Sequence, residues 1–148
     1  MVEDVQRELD NYKKQYRRAD FPDLKLSPLY ALCPDEARSV PSDWGKEWPN
    51  SNNAGLYFIF DRDYQLLYVG KASMDHCIGD RLSAHFPNDK ATETCRLARW
   101  NKEQPMYIAT VGVPKDIRFE AAALEEYLID KLKTVYNLRG IVRLLLAG

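Results

Sequence analysis

Two short apolar runs joined by a polar turn constrain this chain more than any other feature. Residues 56–60 (LYFIF) are aromatic and aliphatic throughout, Asp61-Arg62-Asp63 reads as a turn, and residues 65–69 (QLLYV) are mainly apolar again before Gly70. Runs this short, bounded by turn residues, read as two strands of a hairpin rather than as a helix. Whatever surrounds the hairpin must cover it.

The remaining elements supply that cover. Residues 78–86 place Ile78, Leu82 and Phe86 on one side of a short helix, and residues 91–101 are expected to be helical too. Residues 106–113 (MYIATVGV) are β-branched and aromatic between Pro105 and Pro114, which predicts a third strand. The spacing over 119–133 predicts the longest helix of the core, and residues from 135 onward an extended exit with an apolar tail over 141–147. Before the hairpin, Val2, Val5, Leu9, Tyr12 and Tyr16 recur at steps of three and four, an amphipathic helix over residues 1–19. Pro22, Pro28, Pro34, Pro41 and Pro49 then exclude a long helix or a central strand, with Trp44 and Trp48 expected to pin the connection to the globule. Asn50-Ser51-Asn52-Asn53 is a turn cluster.

The expected fold is therefore α+β: a small three-stranded, mostly antiparallel sheet flanked by helices, with an N-terminal helical arm. Residues 1–49 form the arm and its proline-rich connection, and residues 50–148 the main domain. At 148 residues and 45% hydrophobic, the chain holds one core of this kind.

Charge and cysteine usage narrow the function. Lys plus Arg number 21 against 22 Asp plus Glu, which excludes binding nucleic acid through bulk charge. A local patch is required; Lys90, Arg96, Arg99 and Lys102 are candidates, as are Lys13, Lys14, Arg17 and Arg18 at the end of the first helix. Cys33, Cys77 and Cys95 are odd in number and widely spaced, so reduced thiols are expected; His76, Cys77, His85 and Cys95 lack the paired spacing of a zinc site. No stretch is long and apolar enough to span a bilayer, and Met1-Val2-Glu3-Asp4 lacks the order of a secretion signal. A soluble, cytoplasmic protein that uses no membrane is expected.

One carboxylate stands out by position alone. Ala121, Ala122, Leu124, Leu128, Ile129 and Leu132 share a broad apolar face, while Glu120, Glu126, Asp130, Lys131 and Lys133 fall on the other side. Glu125 falls near the middle of the apolar face. A carboxylate there must be ion-paired, protonated or bound to a cation, because burying it bare costs several kcal/mol. Pairing with an arginine and ligation of a hard cation such as Mg²⁺ or Mn²⁺ both satisfy it. Arg81 and His85, four apart, share a face of the short helix and suit a phosphate and a proton. The hairpin adds Tyr57, Tyr68 and Lys71, which singly read as packing or solvated residues.

Their order is informative. Gly55-Leu56-Tyr57 and Tyr68-Val69-Gly70-Lys71 resemble the two halves of the GIY-YIG nuclease signature. Arg81-Leu82-Ser83-Ala84-His85-Phe86 is similar to the Arg-x-x-x-His-Phe helix of phage intron homing endonucleases. Glu120-Ala121-Ala122-Ala123-Leu124-Glu125, with Tyr136-Asn137 beyond it, resembles the family's closing helix and terminal Tyr-Asn. The resemblance covers roughly residues 54–138, with Leu56 and Val69 standing where the signature has Ile, and with a longer gap between Lys71 and Arg81 than in the bacterial excision-repair module.

That resemblance implies a DNA endonuclease, in repair, restriction or a mobile element, that hydrolyses phosphodiester bonds with one Mg²⁺ or Mn²⁺ on Glu125. In it Arg81 stabilises charge on phosphorus, Tyr57 relays the water's proton with Tyr68 orienting it, and Lys71 is the cation expected to favour phenolate. His85 is a second candidate base. Asn137 orders a Tyr or Glu, and Glu120 stands behind the metal ligand. A homodimer is one way to cut both strands. The alternative is a silent module of the same fold that binds DNA or a protein without cutting.

Overall fold

A computed structural model describes residues 1–32, 48–86, 88–89, 94–95, 105–134 and 136–137. Its elements in chain order are α1 (Val2–Tyr16), β1 (Tyr30–Ala31), β2 (Ala54–Phe60), β3 (Leu66–Ala72), α2 (Ile78–His85), β4 (Asn88–Asp89), β5 (Thr94–Cys95), β6 (Tyr107–Val113), a 3₁₀ turn (Lys115–Ile117) and α3 (Glu120–Leu132). The main sheet has four strands in the order β1-β6-β2-β3, every pair antiparallel. The α+β class holds, with a fourth strand beyond the three expected. Strand β1 is two residues long and sits between prolines, so it has no period to read; Leu32 N–H to Met106 O (2.8 Å) and Ser27 N–H to Thr110 O (2.8 Å) tie it to β6.

The hairpin forms as its turn residues require. Asp61 Oδ1 accepts the N–H groups of Asp63 (2.8 Å) and Gln65 (2.9 Å), closing the loop with its own side chain. Strand β2 is central and buried on both faces, which explains why residues 56–60 are continuously apolar rather than alternating. Leu56, Phe58 and Phe60 pack with Val5 and Leu9 of α1 and with Ala121, Leu124 and Leu128 of α3. Tyr57 and Ile59 point the other way, into a second core with Ile78 and Leu82 of α2, Phe86 and Trp48. The sheet is thus sandwiched: α1 and α3 cover one face, and α2 the other.

Several expectations are corrected by this arrangement. Over 91–101 a helix was expected, yet Thr94–Cys95 is a short strand paired with Asn88–Asp89; the rest of that segment lies outside the described residues, as do the side chains of Lys90, Arg96, Arg99 and Lys102. Trp44, the side chains of Cys33 and Cys95 and the tail over 141–147 lie outside them too, while Cys77 is a free thiol. Trp48 is buried against Tyr30 and Phe86 and donates to Ser83 Oγ (3.3 Å). The buried face of α3 is centred on Ala121, Leu124 and Leu128, so Ala122 is exposed and Glu125 sits at the flank of the face rather than its middle. Glu120, placed on the outer side by the helical pattern, is buried.

The reason is Arg17. Its guanidinium reaches both oxygens of Glu120 at 2.9–3.1 Å, with the two side chains only 4% and 6% exposed, and the Tyr12 hydroxyl adds a contact at 3.4 Å. This pair fastens the end of α1 to the start of α3, so the carboxylate of Glu120 is engaged on the face away from α2. Two other basic residues at that end of α1 are engaged locally: Lys13 with Asp10 and Asp23, each at 3.1 Å, and Arg18 with Asp20 at 2.7 Å. No helix among the described residues is long and apolar enough to cross a membrane.

Candidate functional site

The two halves of the glycine–tyrosine pattern are cross-strand neighbours. Gly55 faces Ala72, Tyr57 faces Gly70, and Ile59 faces Tyr68 across β2 and β3. Both glycines are required by space. Gly55 has a φ of 151°, and a Cβ there would lie 2.0 Å from Val111 O. At Gly70 a Cβ would lie 2.2 Å from Cζ of Tyr57, so the glycine is the floor on which the Tyr57 ring lies. A side chain at Gly70 would lift that ring out of its place.

Tyr57, Tyr68 and His85 converge above this floor. The Tyr57 hydroxyl and His85 Nε2 are hydrogen-bonded at 2.9 Å, and ring centroids are 5.5 Å apart for Tyr57–His85, 5.8 Å for Tyr68–His85 and 6.1 Å for Tyr57–Tyr68. Helix α2 brings His85 there because Ile78 and Leu82, seven and three residues before it, share its face and anchor that face in the core beside Tyr57. The start of that helix is held by the turn cluster: Ile78 N–H donates to Asn53 O (2.9 Å) and Gly79 N–H to Ser51 O (2.8 Å). The asparagine-rich turn therefore positions α2 as well as launching β2, a role invisible in sequence because the partners are some 25 residues away.

Electrostatics join Arg81, Glu125 and Lys71 to the group. Burial pushes Tyr57 far above the usual phenol range; charge at Tyr68 and Glu125 adds to this, and Arg81 opposes it. Tyr68 is raised by burial and Glu125, again against Arg81. His85 is lowered, first by burial and then by the Arg81 charge, so the neutral imidazole is favoured. Burial raises Glu125 as well, opposed by Lys71, Arg81 and the Lys71 amide. Of six residues singled out in sequence, Tyr57, Tyr68 and His85 are thus in contact, and Arg81, Glu125 and Lys71, from α2, the flank of α3 and the hairpin, lie within electrostatic reach of them or of one another. One detail differs: the cation acting on Tyr57 is Arg81, while Lys71 faces Glu125.

The other two lie elsewhere. The Asn137 amide accepts from Val69 N–H and donates to Val69 O, both at 2.9 Å. It completes the outer edge of β3 between Tyr68 and Gly70, as a further strand would, and Thr134 Oγ1 donates to its Oδ1 in turn. Glu120 is bound to Arg17 and Tyr12, as described above.

The donor set bears on a metal. No group of three or more His, Cys, Asp or Glu converges among the described residues, which does not suit a protein-caged ion. A half-buried lone carboxylate suits Mg²⁺ or Mn²⁺, ions that keep several waters and take remaining ligands from phosphate. Glu125 fits that description.

Residues 53–137 match the family model described as the GIY-YIG catalytic domain. The chain belongs to this family of nuclease domains, whose members are generally divalent-metal dependent and act on DNA. No curated protein and no solved structure matches the chain.

Proposed function

We propose that the protein is a DNA endonuclease that hydrolyses a phosphodiester bond in the cleft of Tyr57, Tyr68, Lys71, Arg81, His85 and Glu125. The observation that carries this reading is the Tyr57–His85 hydrogen bond, held over Gly70 with Arg81 and Glu125 in electrostatic reach. Glu125 would hold a divalent ion, which when bound neutralises charge on the phosphate and eases departure of the 3′ oxygen.

The chain's own groups do the rest. Arg81 is exposed at the cleft edge, where its guanidinium takes up the negative charge that grows on phosphorus during attack. The proton leaving the attacking water passes to the Tyr57–His85 pair. A buried phenol held far above its ordinary range is not ionised alone, so the neutral His85 imidazole is the final acceptor, with Tyr57 relaying. Tyr68 sets the position of Tyr57 and His85 by ring contact. Asn137 keeps Tyr68 and Gly70 in place by completing the edge of β3. One site cuts one strand, so a double-strand break takes two copies or two encounters.

End-labelled flap, branched, bulged and plain duplex DNA incubated with Mg²⁺ or Mn²⁺ tests the reading. Nicked products that disappear in EDTA are expected. Failure to cut any of these DNAs with either ion, or undiminished cutting in EDTA, overturns it.

A further inference from the structure

Between Lys71 and α2 the chain makes a turn that contains no residue of the cleft and yet is strained. His76 N–H donates to Ser73 O at 3.2 Å, which puts Met74 at the first central position. Met74 has a φ of 61°, a left-handed conformation that a residue other than Gly, Asn or Asp seldom takes, and it is 70% exposed. A long apolar side chain held in water on a strained turn gains nothing within the free protein. Backbone outliers of this kind cluster where a protein meets a ligand.

Met74 lines a cavity of about 500 Å³ at the end of the sheet where β2 starts and β6 stops, with Asn52, Lys115 and Arg118 also in its wall. A second hollow of about 300 Å³ shares Asn53, Val113 and Lys115 with it and extends to Lys25. The two form one groove. Of its acidic residues, Asp23 is ion-paired with Lys13 (3.1 Å), leaving Asp75 and Asp80 against the three cations Lys25, Lys115 and Arg118, with Asp80 turned to the Cys77 N–H at the start of α2 (3.3 Å). The groove also adjoins the cleft: Met74 follows Lys71 by three residues, and Arg81 lies one helical turn beyond Cys77 in the cavity wall.

We propose that this groove holds the DNA strand flanking the cut, with Lys25, Lys115 and Arg118 against its phosphates and Met74 against the face of an unpaired base. The substrate class is DNA with unpaired nucleotides beside the scissile phosphate, not uninterrupted duplex. This rests on the nuclease reading and deepens it. Every base has an apolar face, so a thioether side chain covers one without reading sequence. Apolar wedges, Met among them, enter base steps in this way, and the cost of unstacking is least where the base is already unpaired.

Binding separates this inference from catalysis. A Glu125→Gln protein is titrated, with Mg²⁺ present, into a duplex carrying a short unpaired segment and into its fully paired counterpart, each labelled there with the fluorescent base 2-aminopurine. Binding about tenfold tighter to the unpaired DNA is expected, with a fluorescence change on binding. Adding Met74→Asn, which suits the positive φ, should remove both the preference and the fluorescence change at unaltered melting temperature; Met74→Leu should keep them. Lys115→Gln with Arg118→Gln should weaken binding to both DNAs and flatten its salt dependence. Equal affinity for the two DNAs, or a preference that survives Met74→Asn, overturns the inference. Wild-type protein that shows the binding signature but cuts neither DNA overturns the proposed function and leaves the groove standing. Protein that cuts both equally, with or without Met74→Asn, does the reverse.

Discussion

The first turn of α3 and its middle each carry a glutamate, and the two meet opposite surroundings. Glu120 is buried, and both its oxygens are held by Arg17 on the α1 side of the sheet. Glu125 is half-buried at the hairpin edge, where Lys71 and Arg81 act on it through space and no ion pair closes on it among the described residues. The difference separates structure from chemistry. A carboxylate whose charge is already matched has nothing left to offer a ligand, whereas one that burial penalises is still open to a cation.

The largest expected effects set these two against each other. Glu125→Gln should lower single-turnover cleavage by about a thousandfold while leaving the melting temperature unchanged or higher, since a penalised charge is removed. Glu120→Ala should do the opposite, costing about 3–5 kcal/mol by stranding Arg17, and lowering the melting temperature by roughly 10 °C. The cutting rate per folded molecule should persist. Replacing the pair together, Arg17→Met with Glu120→Leu, should recover most of the stability. A Glu125 variant that melts early but still cuts would erase the distinction.

Arg81→Ala should come next, reducing turnover by about a hundredfold with much less effect on DNA affinity, because its contact strengthens as charge develops on phosphorus. Loss of binding with normal cleavage at saturation would make Arg81 a docking residue. Asn137→Ala tests the support of the cleft: two hydrogen bonds to Val69 are lost, for about 1–3 kcal/mol, and the rate should fall with them as Tyr68 and Gly70 loosen. A thermal shift without a rate change would confine Asn137 to stability.

What could be read from the sequence follows the range of each interaction. The hairpin, β6, α2 and α3 were legible because their signals are local periods of two or of 3.6 residues. The six residues of the proposed site stand out in sequence as a pattern in fixed order. Glu120 was not legible, because the arginine that makes its burial tolerable is 103 residues away and no local pattern marks it. The hold of Asn137 on Val69 was not legible either, because its partner is backbone that any residue there would present. Strand β1 escaped notice because two residues between prolines carry no period. Tertiary partners account for all three.

The smallest expected effect is a pair of opposed pH slopes, and it reads the cleft without DNA. His85 is lowered from 6.5 in the fold, chiefly by burial and then by Arg81. The folded protein therefore favours neutral His85, and the stability so gained is complete above pH 6.5. It is lost as the pH falls through the lowered folded value, because the unfolded chain takes up the proton first. Glu125 runs the other way: its folded value is raised from 4.5 by burial, so its contribution is complete below 4.5 and is lost as the pH rises through the raised value. Melting temperatures measured from about pH 4 to 8 should thus lose a falling segment in Glu125→Gln and a rising one in His85→Phe, compared with wild type. Added Mg²⁺ should cancel the Glu125 segment, since an ion on the carboxylate stabilises the charged form. The same scan with Glu120→Gln separates the two glutamates, because its loss should lower the whole curve and leave the Mg²⁺ response in place. A Mg²⁺ response that vanishes with Glu120 and survives without Glu125 would exchange the roles of the two residues.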